Sequence, residues 1–255
     1  MKKKLTFKRL KAVLLILRYF IPTIRFNFKY LPFSTAIKFP FIFECGAKFY
    51  AFDGKISIET DLVKPGMIRF KSRNIGIYDS NMRFVFENHG HIIFKGGGVF
   101  KGGSALSVGP KGILTMGENF SIGPLNKIIC LNAITIGSNS LFAWEIIIID
   151  SDFHSVYNFE KNTIHDNSKS INIGDNCWIG TRAMIYKGTV IPHNTIVAGM
   201  TILNKDYNIP SYSLLAGSPA EVKKTNICRL QDDRISNIEI ENVVKLYNDF
   251  KLKQN

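Results

Sequence analysis

Between Ile173 and Leu203 an aliphatic residue recurs at every sixth position: Ile173, Ile179, Ile185, Ile191, Val197 and Leu203. Four residues after each of the first five stands a small residue: Cys177, Ala183, Thr189, Thr195 and Thr201. A helix cannot produce this stripe. At about 100° per residue, members six apart are rotated by roughly 240° and share no face. In extended chain six is an even step, so all members point to one side, and the residue at the fourth position after each points there too. That residue must be small, because it lies near a tight corner where bulk would crowd the coil axis. Asp175, Asn176, Lys187, Gly188, His193 and Asn194 fall between the pairs and suit turns. The pattern predicts short strands joined by tight turns, three hexapeptides to a triangular coil. The aliphatic ladder then stacks along the axis as the core, and each coil contacts only its neighbours.

The repeat extends backwards less regularly. Ile136, Phe142 and Ile148 are six apart, with Ser140 and Ile146 at the fourth position after the first two. Met116, Ile122, Ile128 and Ile134 also fit, with a two-residue offset before Ile136. The Gly-rich, alternating stretch from Phe84 to Gly112 predicts further irregular coils. From 150 to 170 the ladder is interrupted, and the segment holding Asp152, His154, Tyr157, Glu160 and His165 should project as a loop. Inserted loops on a rigid solenoid commonly carry function. After Leu203 the pattern is expected to end, at turns marked by Pro210 and Ala216-Gly217-Ser218-Pro219-Ala220. Gln231 to Leu252 reads as a C-terminal amphipathic helix. The fold class is mainly β, with helices at both termini. Three segments follow: a basic N-terminal segment over 1–43, a β-helix domain over 44–222, and a helical tail over 223–255.

Charge sharpens the reading of the N-terminus. The net charge is +13, and Met1 to Phe43 carries ten basic residues and no acidic one. The body has no basic stripe, so nucleic acid is not an expected partner. The apolar run Ala12–Leu17 is six residues, far short of the roughly 20 needed to span a bilayer, and no clean cleavage site follows it. Read as a helix, Leu10, Val13, Leu14, Leu17 and Ile21 share a face, with Lys8, Lys11 and Arg18 elsewhere. Residues 1–22 are therefore expected to lie on an anionic membrane surface; the alternative is packing on the protein's own body or in an oligomer interface. Four cysteines, Cys45, Cys130, Cys177 and Cys228, are widely spaced. They form no C-x-x-C motif, and free thiols in a reducing cytoplasm are expected, with no metal site.

The repeats, the loop and the terminator together resemble the hexapeptide acyltransferase superfamily, in the style of bacterial polysaccharide and sugar O-acetyltransferases. The likeness is carried by Ile136-Gly137-Ser138-Asn139-Ser140-Leu141 running to Asp150-Ser151-Asp152-Phe153-His154-Ser155, by Ile173-Gly174-Asp175-Asn176-Cys177-Trp178-Ile179-Gly180, and by Leu215-Ala216-Gly217-Ser218-Pro219-Ala220. It is strong from about residue 116 to 225 and loose from 55 to 115. The resemblance implies a left-handed parallel β-helix, a homotrimer with active sites between subunits, acetyl-CoA as donor along the groove between two β-helices, and a loop histidine as general base.

His154 stands at the resemblance's catalytic position in the predicted loop. Imidazole, with an ordinary pKa of about 6.5, can take a proton from an acceptor hydroxyl near neutral pH. Asp152, Asp150 and Glu145 are candidates to hold its other ring nitrogen, or to shape the turn through local backbone bonds. No residue is spaced as an acyl-carrying nucleophile, and Cys177 falls at an inward position, so direct transfer is expected. For the cofactor the resemblance carries over to Thr181, Ala198, Asn204, Lys205 and Lys224. Gly199 with Ala198 permits close approach of the pantetheine arm, the two lysines meet phosphate charge, and Trp178 and Pro219 offer apolar flanks. Asn204 and Glu221 depart from the resemblance's usual Thr and Arg. The acceptor site does not map; Trp144 and Glu145 are its nearest candidates. The expected function is acetyl transfer from acetyl-CoA to a sugar hydroxyl of a surface polysaccharide or precursor, in the cytoplasm at the inner face of the membrane. N-acetylation of an amino sugar and a non-catalytic glycan-binding β-helix are the alternatives.

Overall fold

The computed structural model describes residues 17, 19–71, 82–230 and 237–252. Most of the helix expected over 1–22 thus lies outside the described residues. Among the described residues, those between Phe41 and Lys224 wind as a left-handed parallel β-helix whose short strands form three sheets, one per face of a triangular prism, and the strand counts below are of these residues. Face 1 has nine strands, from Phe41–Phe43 to Glu221–Lys224. Face 2 has seven, from Ala47–Ala51 to Ile202–Leu203. Face 3 has six, from Lys55–Ile58 to Val190–Ile191. Neighbours pair in parallel, except that Glu221–Lys224 turns back antiparallel on Leu214–Ala216.

The ladder stacks as its spacing predicts. Ile136 lies between Met116 and Ile173, Phe142 between Ile122 and Ile179, and Ile148 between Ile128 and Ile185. All are essentially without solvent contact. Coils beyond Ile173 take 18 residues, as between Ile173 and Ile191. The coil from Met116 to Ile136 takes 20, so the offset before Ile136 is absorbed within one coil and does not break the stack. The ladder does not end at Leu203. Leu215 sits on Val197 with Ile209 packed against the core below it, one more turn of the same period. The polar residues Asn204 to Asn208 hide that continuation in the sequence.

Corners explain the small residues. Asn119, Asn139, Asn176 and Asn194 turn the edge between faces 3 and 1 at left-handed φ of 54–58°, which asparagine tolerates well. Where the inward residue after a left-handed corner is Thr or Ser, its hydroxyl closes the turn, both on this edge (Thr195, Ser213) and on that between faces 2 and 3 (Thr189). Thr195 Oγ1 donates to the Pro192 carbonyl at 2.8 Å, Thr189 to Tyr186 at 2.7 Å, and Ser213 to Pro210 at 2.6 Å.

Helix α1 (residues 19–30) covers the open N-terminal end of the prism. The strand Phe41–Phe43 has a neighbour on one side only. On its other side Asn27 bonds both the N–H and the carbonyl of Phe41, at 3.2 and 2.8 Å, and the Thr23 hydroxyl accepts from the Phe43 N–H at 3.0 Å. These side chains stand in for a missing strand and protect the edge from pairing with another chain. Phe26 plugs the axis, its ring 5.0–6.0 Å from those of Phe41, Phe43, Phe49, Phe70 and Phe86. Helix α2 (Phe33–Ala36) leads into the first coil. Helix α3 (Asn237–Leu252) lies near the edge between faces 3 and 1, where the Tyr247 ring meets Tyr212 and its hydroxyl donates to Asn226.

Replacing Phe26 by alanine should leave a void at the closed end and lower unfolding free energy by about 3–5 kcal/mol, measured by denaturant titration.

Candidate active site

The interrupting segment leaves the face-2 strand Ile147–Ile149 and returns to the face-3 strand Ile171–Ile173, so it hangs from the edge between faces 2 and 3. It carries a small antiparallel hairpin, Val156–Asn158 with Thr163–His165. Its root is tied to the coils on both sides. The buried carboxylate of Asp150 accepts from the N–H groups of Leu131 and Asn132 at 2.7 and 2.8 Å, in the coil below. Lys187, from the coil above, donates to the Asp166 carbonyl at 2.6 Å and pairs with Asp152 at 2.5 Å.

His154 is exposed on this tied loop. Its N–H donates to the Asp152 carbonyl at 2.7 Å, after a left-handed turn at Phe153. Its ring takes no hydrogen bond or ion pair among the described residues. None of the three carboxylates expected to orient it does so within one chain. Asp152 is held by Lys187, and Asp150 by two backbone donors. Glu145 is on another edge altogether, 2.6 Å from Arg182 Nε. Each carboxylate is satisfied by the nearest donor that the coil geometry presents, and sequence distance does not reveal which that is. Lys187 reads as an ordinary turn residue, and nothing in the sequence singles out Arg182.

The residues expected at the cofactor fall at four places on the prism. Thr181, Ala198, Gly199 and Pro219 stack along the edge between faces 1 and 2, where the Met200 N–H donates to the Thr181 carbonyl and the Ala220 N–H to Ile202. The left-handed positions of this edge are Leu125, Glu145, Arg182 and Met200, at φ of 58–60°. Residues of these types cost about 1–2 kcal/mol each in that conformation. Such strain gathers where the side chains serve a function. Asn204 and Lys205 lie instead on the edge between faces 2 and 3, with Lys205 Nζ 5.5 Å from the Tyr207 ring centroid. Lys224 ends the returning strand, and the neighbouring Glu221 is hydrogen-bonded by Lys223 at 2.8 Å, which holds its carboxyl below the usual range. Trp178 faces outward on face 1 between Leu141 and Ile196, partly exposed. Between the two edges runs the outer side of face 2, with apolar Ile147, Ile149, Met184 and Ile202 half-exposed.

Cys177 is buried. Its thiol donates to the Pro192 carbonyl at 3.3 Å, and burial pushes its pKa up to about 12. It is neutral and inert at physiological pH. Among the described residues no group of three or more His, Cys, Asp or Glu is placed to hold a metal.

No family model matches the chain. WbbJ of Escherichia coli (strain K12), named for O-acetyl transfer in lipopolysaccharide biosynthesis, is 26% identical over 188 residues, covering 70% of this chain and 91% of that protein. The polysialic acid O-acetyltransferase of Escherichia coli O1:K1 / APEC is 29% identical over 101 residues, 40% of this chain and 32% of its own length. Among solved structures the polySia-specific acetyltransferase NeuO superposes with a TM-score of 0.60, at 19% identity, over 81% of this chain and 94% of that one. The chain is thus similar to named O-acetyltransferases in sequence, and its coils share the fold of a solved acetyltransferase. A stacked coil can carry an insertion at a corner without disturbing its neighbours, which accounts for a ladder broken by one loop.

Asp150→Ala should orphan two N–H groups at the loop root and lower stability by about 2–4 kcal/mol. Thermal melting measures the loss, and limited proteolysis should cut within 151–170 faster than in the unaltered protein.

Proposed function

We propose that this acyltransferase moves an acetyl group from acetyl-CoA to a sugar hydroxyl of a surface polysaccharide or its precursor, with His154 as general base. One observation carries the reading: the loop root is tied above and below, yet it presents an imidazole with no side-chain partner among the described residues. A base held in place but not consumed by a structural bond is ready for a substrate proton. The His154 ring accepts the acceptor hydroxyl's proton as that oxygen attacks the thioester carbonyl. The tetrahedral oxyanion is stabilised by backbone N–H donors along the groove. It collapses by breaking the C–S bond, and the departing thiolate takes the proton back from the imidazolium. WbbJ and the polysialic acid enzyme, both named for O-acetyl transfer, support a polysaccharide acceptor.

Acetyl-CoA would lie with its pantetheine arm along Thr181, Ala198 and Gly199, its phosphates toward Lys205 and Lys224 beside Asn204, and with Pro219 and Trp178 as apolar flanks. Asn204 and Lys205 share the edge that bears the His154 loop, whereas Thr181, Ala198, Gly199 and Pro219 lie on another edge of the prism, with face 2 between. A site using both is completed by a second copy, and a closed ring of three copies is the assembly we infer. The apolar outer side of face 2 supports such packing. In the ring, Glu145 and Arg182 of one copy face the loop of the next, and Asp152 fixes the loop's path through Lys187.

The same proposal places the protein in the cytoplasm, against the inner face of the membrane. Helix α1 has two apolar faces. Phe26 is buried on the prism, while Leu17, Phe20, Ile21 and Phe28 remain exposed, beside exposed Arg25 and Lys29. The outward stripe continues the one that Leu10 and Leu14 begin in sequence. No helix among the described residues is long and apolar enough to cross a membrane.

His154→Ala should lower transfer by about 10²–10⁴-fold, read as thiol release from acetyl-CoA with a glycan acceptor, while calorimetry still detects acetyl-CoA binding; unchanged turnover removes His154 from the mechanism. Deleting residues 1–22 should end co-sedimentation with vesicles containing phosphatidylglycerol, and persistent co-sedimentation would refute the membrane role.

A further inference from the structure

The edge between faces 2 and 3 carries more than the loop. Ascending it, Asp53 and Gly54 make one corner, His89 and Gly90 the next, Pro110 to Gly112 the third, and Leu131 with Asn132 the fourth. Asp150 and the loop follow directly, bonded to that fourth corner. Coils are about 4.8 Å apart, so His89 lies three steps, roughly 14 Å, from the loop root.

At these lower corners the edge holds a cavity of about 420 Å³, lined by Asp53, Lys55, His89, His91, Lys111 and Ile113 among others. The fold does not need these side chains to close its coils, because backbone bonds such as His89 N–H to Val108 O and His91 N–H to Gly112 O do that. Yet they are ordered among themselves. His89 Nδ1 is 2.8 Å from Asp53 Oδ2, and its Nε2 is 3.6 Å from Glu87 Oε1. Ser107 donates to Glu87 at 2.7 Å, and His91 Nε2 shares a hydrogen bond with the Ser57 hydroxyl at 2.8 Å. The carboxylates are engaged by His89. Lys55 and Lys111 are exposed and have no ion pair among the described residues. The lining therefore offers fixed polar partners for hydroxyls and two uncommitted cations for anionic groups, in line with the loop that bears His154.

The geometry points to this cavity as a distal subsite for an acidic glycan, so that a chain bearing carboxylate or phosphate groups lies along the edge with one unit at His154 and earlier or later units at His89, Lys55 and Lys111. The inference rests on the proposed acetyl transfer for its acceptor, but the subsite is tested by binding alone. The probe is a printed array of acidic and neutral bacterial polysaccharides, applied to the full chain. Retention of an acidic polysaccharide above any neutral one is expected. The Lys55→Ala/Lys111→Ala pair should lower that retention at least tenfold, and His89→Ala severalfold, while acetyl-CoA affinity and melting temperature stay unchanged. His154→Ala should bind the polysaccharide as the unaltered protein does. Unchanged retention in the lysine pair, a preference for neutral chains, or no retention of any acidic chain overturns the subsite. Retention of the acidic chain without any acetyl-CoA binding would instead overturn the transfer reading and leave the subsite standing.

Discussion

The structure depends on coil stacking on coil with inward residues in register. Ile173 on Ile136 and Ile191 on Ile173 place three aliphatic side chains in one column, Ile148, Ile185 and Leu203 form a second, and Phe142, Ile179 and Val197 a third. A column survives only if each coil returns to its starting point, so the corners must turn sharply within a small cross-section. The left-handed residue and the small inward residue after it meet that demand together. Asn194 with Thr195, and Gly188 with Thr189, are two versions of one device.

Everything functional is displaced to the edges by this demand. The interior admits only packed apolar groups and a few corner hydroxyls, and the faces are committed to strand pairing. What remains is the turn between strands, which can lengthen without disturbing the columns. The segment from 150 to 170 lengthens one turn and leaves Ile148 on Ile185 in register. The split of the proposed site over two edges has the same origin. An edge of one prism meets another only across a face, and a neighbouring copy shortens that path. At the N-terminal end the stack has no next coil, and Phe26, Asn27 and Thr23 of α1 supply its packing and hydrogen bonds.

Much of the fold was legible before any coordinates, because inward-facing periodicity is a local property of the chain. The coils from Met116 to Leu203 could be counted from Met116, Ile136, Ile173 and Ile191. The coil at Leu215 was missed because the residues between Leu203 and Ile209 are polar, apart from Tyr207, and only two spaced aliphatics remain to mark it. The irregular coils over Phe84–Gly112 were legible as alternation but not in register, since coil lengths vary there; Phe70 and Phe100 are 30 residues apart where later partners are 18.

At the site, the sequence determined by itself that His154 stands on an inserted loop and that Cys177 faces inward, because both follow from where the sixfold period holds and where it fails. It did not determine which group meets which. Asp152 bonds Lys187 and Glu145 bonds Arg182, pairs 35 and 37 residues apart that become neighbours only when coils stack. The same is true of Asp53 with His89. Hydrogen bonds and ion pairs act over a few ångströms, and in a solenoid those ångströms run along the axis, across coil lengths that only the folded stack sets.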